Sequence, residues 1–450
     1  MTEDFTDNYS KIELSKDHHM QIPWYDLIDD DNDKVITAAL KERASIVGRV
    51  GIMLLSCGTG AWRVREAMNN IARNLSLTCS ADIGLTSISF TCFYKNHSYS
   101  EVLTLSKSGV DTDKLDALER FVRNFSENVH QMSTRDIHKE LDKIQKMPGN
   151  YSAVITGLAA GLACSAFVFL LGGGSIEMVC CFFGAAIGNW IRTKLLQKRL
   201  TLIATVALGV ASACLVYLLM FHVLEIIFNI SGQHEAGYIG AMLFVIPGFP
   251  FITSMLDISK QDLRSGLERL VYALMITTVA TLVGWLVALT VHLKPANFLP
   301  LNLPPFLMLG LRLIASFCGV FGFSIMFNSP YRMAFLSGII GAIANTLRLE
   351  IVDYSKIPPA AAAFIAALFA GLIASGMNHF NGYPRISLTV PSIVIMVPGL
   401  YIYRGMYNIG LNNISVGASW MSRAVLIIMM LPLGLFTARV IMDKRWRRND

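Results

Sequence analysis

Two Pro-Gly pairs stand inside apolar runs, where a membrane most favours unbroken helix. Pro247-Gly248 interrupts the run Val245–Pro250, and Pro398-Gly399 returns 151 residues later inside Met396–Leu400. Proline removes a backbone donor and glycine frees the local dihedrals, so each pair predicts a break. A helix that restarts after a break presents free N–H groups and the positive end of its dipole, which suits a carboxylate ligand. Phe249 completes the first break. Asp257 follows it by about three turns, roughly 15 Å if helical. Glu268 and Arg269 open the next apolar run, Arg312 sits inside a later one, and Asn189 and Asn345 lie near the ends of two short ones. Ionisable groups at membrane depth are costly and are functional candidates by default. The candidate substrate path is therefore Asn189, Pro247, Gly248, Phe249, Asp257, Arg269, Asn345, Pro398 and Gly399. Asp257 and Glu268 are the candidates for proton coupling. Either asparagine can instead staple two helices, and Asp257 and Arg269 can equally anchor the chain at the headgroups.

The elements that must position these groups follow from composition. The chain has 450 residues, 53% hydrophobic and 16% charged, with a mean hydropathy of +0.49. Those values exclude an ordinary soluble protein and point to a polytopic α-helical membrane protein. Ten segments are long enough to span a bilayer, near 151–171, 175–191, 200–221, 237–256, 266–292, 306–327, 331–349, 358–376, 387–403 and 421–441. Lys and Arg number twelve on one set of connections and tail against four on the other. The excess predicts that both termini are cytoplasmic, in a multi-pass protein of the plasma (inner) membrane. Similar offsets relate the two halves: Tyr151 to Phe306 by 155, Asn189 to Asn345 by 156, Pro247-Gly248 to Pro398-Gly399 by 151, and Arg269 to Arg423 by 154. Two five-helix repeats must then enter from opposite faces, the inverted arrangement suited to alternating access. On that basis the two breaks should lie face to face and flank one polar cavity. Gly157-x-x-x-Gly161 and Gly184-x-x-x-Gly188 predict close helix packing.

Residues 1–32 read as a flexible acidic leader, and 33–150 as a small α+β domain on the cytosolic side. Residues 151–292 and 306–441 are the two membrane repeats, joined by a Pro-rich connection at 293–305 and followed by a basic tail at 442–450. Within the front domain, apolar periodicity predicts helices over 33–55, 61–75, 111–128 and 134–146, with a hairpin of 83–94 and 99–105. The turn Ser56–Gly60 precedes a helix with Arg63 and Arg65 in its first turn. Gly58, Arg63 and Arg65 therefore form a candidate anion site, with a tight turn and solvated arginines as the alternative.

No G-x-S-x-G, P-loop or H-E-x-x-H motif is present, so the sequence gives no enzyme signature. The eight cysteines contain no C-x-x-C pair and predict neither disulfides nor a metal site. The first 30 residues hold no apolar stretch of the kind a cleavable signal needs. No basic, aromatic-interleaved stripe suggests nucleic acid. No cofactor is called for, and homo-oligomer formation is left open.

The segment Leu54–Glu66, the run Ile246–Pro250 with Asp257, Asp262 and Ser265–Arg269, and Pro391-Ser392 with Val397–Gly399 together resemble the threonine/serine exporter (ThrE-like) family. The likeness covers nearly the whole chain from about residue 35, with Cys57 and Thr59-Gly60 departing from the family pattern in the front segment. It implies a secondary exporter of about ten helices with a cytosolic front domain. Its substrates would be threonine and serine or, in relatives, a dicarboxylate such as succinate. Pro247, Gly248, Asp257, Arg269, Pro398 and Gly399 carry over as path residues, and Gly58, Arg63 and Arg65 as front-domain candidates. The expected partners are thus a small carboxylate, protons and the lipid bilayer. A membrane-anchored hydrolase or signalling protein working through its front domain, and a channel, are the competing classes.

Overall fold

The computed structural model describes residues 22–28, 34–229, 237–292, 298 and 301–447. Most of the expected acidic leader and Pro-rich connection, and the end of the basic tail, lie outside them.

The N-terminal region is built on α1 (Leu40–Ser56), which is buried along almost its whole length. Helix α2 (Ala61–Asn74) and a three-stranded antiparallel sheet cover it, the strands being β1 (Thr78–Ile83), β2 (Ser87–Tyr94) and β3 (His97–Thr104) in that order. Helices α3 (Thr112–Asn128) and α4 (Thr134–Gln145) pack on it as well. Helix α1 starts seven residues later than the pattern suggested. Strand β1 was not expected: it is an edge strand whose side chains, apart from Ile83, stay exposed or half-buried, so no apolar alternation marks it.

Because α1 is covered on all sides, its charged residues must be satisfied internally. Arg49 is 1% exposed; it pairs with Asp142 and donates to Gln145 Oε1 (2.9 Å). It also donates to Nδ1 of the fully buried His138 (3.1 Å), whose Nε2 lies 3.0 Å from Ser45 Oγ. Arginine can only donate, so His138 Nδ1 is the acceptor and Nε2 carries the proton. Burial and the neighbouring guanidinium push the His138 pKa down from 6.5 to about 3. Only the unfolded chain then takes up this proton between those values. Stability from this group is complete above about pH 6.5 and falls as pH drops, by up to about 1.4 kcal/mol per pH unit. Thermal melting of the full chain from pH 7.5 to 4.5 should show this slope, and His138→Asn should flatten it.

The remainder is helical. Among the described residues, seven helices are long and apolar enough to cross a membrane: α5 (Ala153–Leu170), α7 (Leu202–Phe228), α10 (Leu263–Thr290), α11 (Pro305–Met326), α12 (Tyr331–Ser355), α13 (Pro359–Asn381) and α16 (Ile414–Met442). Two bent pairs raise the number to nine if each is one span. The first is α8 (Tyr238–Ala241) with a tight 3-10 turn at Leu243–Val245, then α9 (Gly248–Ser259), bent by 51°. The second is α14 (Arg385–Val394) with α15 (Gly399–Gly410), bent by 49°. The chain is thus a polytopic membrane protein. Ten spans were expected. The difference is α6 (Ser175–Gln197), packed between α5 and α7 but carrying Glu177, Asn189, Arg192 and Lys194.

Small residues set these contacts. A Cβ on Gly161 would lie 2.6 Å from Phe182 O of α6, and one on Gly188 would lie 2.8 Å from Gly209 O of α7. Backbones this close leave no room for a larger residue. All eight cysteines are free thiols.

Candidate functional site

Both Pro-Gly pairs start a helix in the same way. Pro247 (φ −81°, ψ 66°) caps α9 and Pro398 (φ −81°, ψ 53°) caps α15. In each, the glycine N–H turns back to the carbonyl two residues earlier, Gly248 to Ile246 (2.8 Å) and Gly399 to Val397 (2.9 Å). That geometry is an inverse γ-turn centred on proline. Helical hydrogen bonding resumes only at Phe251 and at Ile402.

The two breaks touch. A Cβ on Gly248 would stand 3.1 Å from Val394 and Val397, and one on Gly399 would stand 2.8 Å from Leu243. The buried Tyr238 and Tyr403 hydroxyls join the same pair of spans at 2.5 Å. The cavity itself, about 480 Å³, is lined by Pro398, Gly399, Leu400 and Tyr401, and Pro247 and Gly248 do not line it. One shared cavity was expected. Instead, the valines fill the space before Gly248, and Phe249, 1% exposed, packs edge-on against Phe327.

Among the described residues, three arginines face the open cavity and no carboxylate side chain lines it. Arg312 is held by Glu350 (2.8 Å) and Asp353 (2.5 Å). Arg404 lies over the Trp420 ring at 5.1 Å. Arg348 donates its Nε to Asn345 Oδ1 (3.0 Å), and Asn345 is fixed in turn through Ser316 Oγ (2.8 Å). The Arg348 fork makes no salt bridge among the described residues. Guanidinium forks match carboxylates bidentately, and the α15 start adds the unbonded N–H groups of its first turn. Asn345 therefore sits one step behind the cavity and aims Arg348 into it.

The other polar candidates lie elsewhere. Asn189 donates to Thr156 O (2.9 Å), stapling α6 to α5. Asp257 and Arg269, each 2% exposed, form an ion pair (3.3 Å) at the junction with the N-terminal region. Asp257 accepts the Ala61 N–H (3.0 Å) and the Ser265 hydroxyl (3.0 Å). Arg269 donates to Gly58 O (3.1 Å) and Thr59 O (2.6 Å). The helix start at Gly58–Ala61 thus does receive an anion, and that anion is the chain's own Asp257. Arg63 pairs with Glu119 (2.6 Å) and Glu66, and Arg65 with Asp262 (2.5 Å). Glu268 accepts the Leu85 N–H (2.6 Å) and an Arg264 bond.

Arg348 and Arg404 were not among the site candidates read from the sequence. A signal for Arg348 was present: Asn189-x-x-Arg192 recurs as Asn345-x-x-Arg348 at an offset of 156.

A multi-helix membrane part with paired helix breaks and a basic cavity defines a transporter, not an enzyme. The family described as "Putative threonine/serine exporter" matches residues 45–292, and "Threonine/Serine exporter, ThrE" matches 312–441. The chain belongs to the threonine/serine exporter family. It is 24% identical over 242 residues to the "Probable succinate transporter subunit YjjP" of Escherichia coli, covering 54% of this chain and 91% of that protein. It is 22% identical over 384 residues to the "Probable threonine/serine exporter" of Mycobacterium tuberculosis, covering 81% and 69%. No solved structure matches the chain.

Proposed function

We propose that the chain is a secondary exporter of small carboxylates, driven by protons, that works by alternating access between two inverted five-helix halves. The observation that carries this reading is the arginine cavity at the start of α15. The repeat draws support from matching geometry. Each broken span has a 12-residue helix after the break. A left-handed residue follows, Gln261 (φ 63°) or Asn412 (φ 61°), and then a helix of 28 or 29 residues. The N-terminal region sits against the basic helix ends counted above as inner, which supports a cytosolic placement for it.

Among carboxylates the cavity favours a dicarboxylate. Three guanidinium groups stand on its wall, with the Arg348 fork outside any salt bridge, and among the described residues no acidic side chain lines it to hold an ammonium group. This reading agrees with the name of the E. coli relative, whereas that of the M. tuberculosis relative points to threonine and serine. Counterflow in proteoliposomes decides between them. Saturable counterflow of succinate, with threonine and serine weaker, is expected. The reverse order would assign the hydroxy amino acids. Flux that neither saturates nor accumulates would identify a channel, and absence of counterflow for all three would overturn the transporter reading.

A further inference from the structure

We infer that residues 34–150 form a gate: a strap across both membrane halves that closes the face opposite the arginine cavity and must detach during each transport cycle. The inference rests on the transporter reading and adds a moving part to it.

The strap is tied to both halves. On the first half, the 58–61 turn grips Asp257 and Arg269, Arg65 holds Asp262, and Leu85 binds Glu268. On the second half, the Thr112 N–H donates to Phe327 O (3.1 Å) and the Thr112 hydroxyl meets Ser329 Oγ (2.7 Å). Arg123 donates to Gly382 O (3.2 Å). The chain's end joins in, as Trp446 packs on Trp62 with ring centroids 4.8 Å apart. Helix direction places these ties opposite the cavity. Helix α5 begins beside the strap, where Asn150 N–H donates to Asn328 (2.8 Å), and ends at Leu170–Gly172 on the cavity wall. A rigid body joined to both halves on one face prevents them from separating there, and halves that rock against each other need that separation.

The central tie is built from groups that water can replace. Helix α2 has no side-chain cap of its own, and Asp257 supplies one from a separate element. Gly60 is what lets it approach, since a Cβ there would lie 2.5 Å from Asp257 Oδ1. Gly58 adopts φ 83°, which turns its carbonyl toward Arg269. This tie is polar, and on release the ion pair, the helix start and both carbonyls can all be hydrated.

The test is a reversible lock. Thr112→Cys with Ser329→Cys should form a disulfide on oxidation, with each single variant as control. Oxidation should lower succinate counterflow at least tenfold and reduction should restore it, while succinate binding, read by calorimetry, persists. Equal counterflow in the oxidised and reduced forms would overturn the gate. The binding measurement independently reports whether the cavity reading stands. The native chain gives a second readout: the Ala61 amide should exchange hydrogen faster under active counterflow than at rest. Equal protection in the two conditions would also overturn the gate. Gly60→Ala should raise that exchange at rest with counterflow continuing.

Discussion

Arg348→Gln is expected to lower carboxylate affinity roughly 10- to 100-fold and to abolish counterflow at substrate concentrations that saturate the native protein. A hydrogen bond to a charged group contributes about 1.5–3 kcal/mol, and each 1.4 kcal/mol is tenfold. The loss should be that large because Arg348 has its fork available among the described residues, whereas Arg312 is already held by Glu350 and Asp353. Arg312→Gln should therefore cost less affinity and more stability, since it leaves two carboxylates facing each other. Asn345→Ala, which removes the acceptor orienting Arg348, should fall between the two. Calorimetric titration with succinate ranks the three variants. An Arg348→Gln protein that binds like the native chain would remove the cavity from the transport path.

Asp257→Asn is expected to loosen the N-terminal region by about 3–5 kcal/mol, the cost of stripping one partner from a buried ion pair. Arg269, 2% exposed, would keep its charge without its ion-pair partner, and α2 would lose the anion at its N-terminus. The segment Ser56–Trp62 should become sensitive to protease, and its amides should exchange rapidly. Arg269→Gln should produce a similar change. The double variant should be less damaged than the sum of the two, because the isolated charge is then gone. A different outcome would assign a different role. If Asp257→Asn keeps native protection at Ser56–Trp62 and full counterflow, but loses accumulation driven by a pH gradient, Asp257 is the proton-coupling group.

Much of the fold was legible because its causes are local. Apolar length marks a span wherever it occurs, and Pro-Gly breaks a helix whatever surrounds it, so the bends of 51° and 49° fall where the sequence placed them. The hairpin of β2 and β3 was legible through its alternation. Strand β1 was not, because an edge strand that buries little carries little pattern. For the site, Pro398 and Gly399 were legible and line the cavity, while Asn345 was legible and stands behind it.

The sequence by itself determined that this is a membrane protein with two matched breaks, and it marked the helix start at Ala61 as a candidate anion site beside the alternative of a plain tight turn. Only the tertiary structure decided which anion that is. Asp257 lies 196 residues from Ala61, and Arg269 lies 211 from Gly58, so no local pattern could join them. The same holds for the cavity, where Arg312, Arg348 and Arg404 come from three helices and meet only when those helices pack. Periodicity and breaks act through neighbours along the chain. A charge is defined by the groups within a few ångströms of it, and those are chosen by the fold.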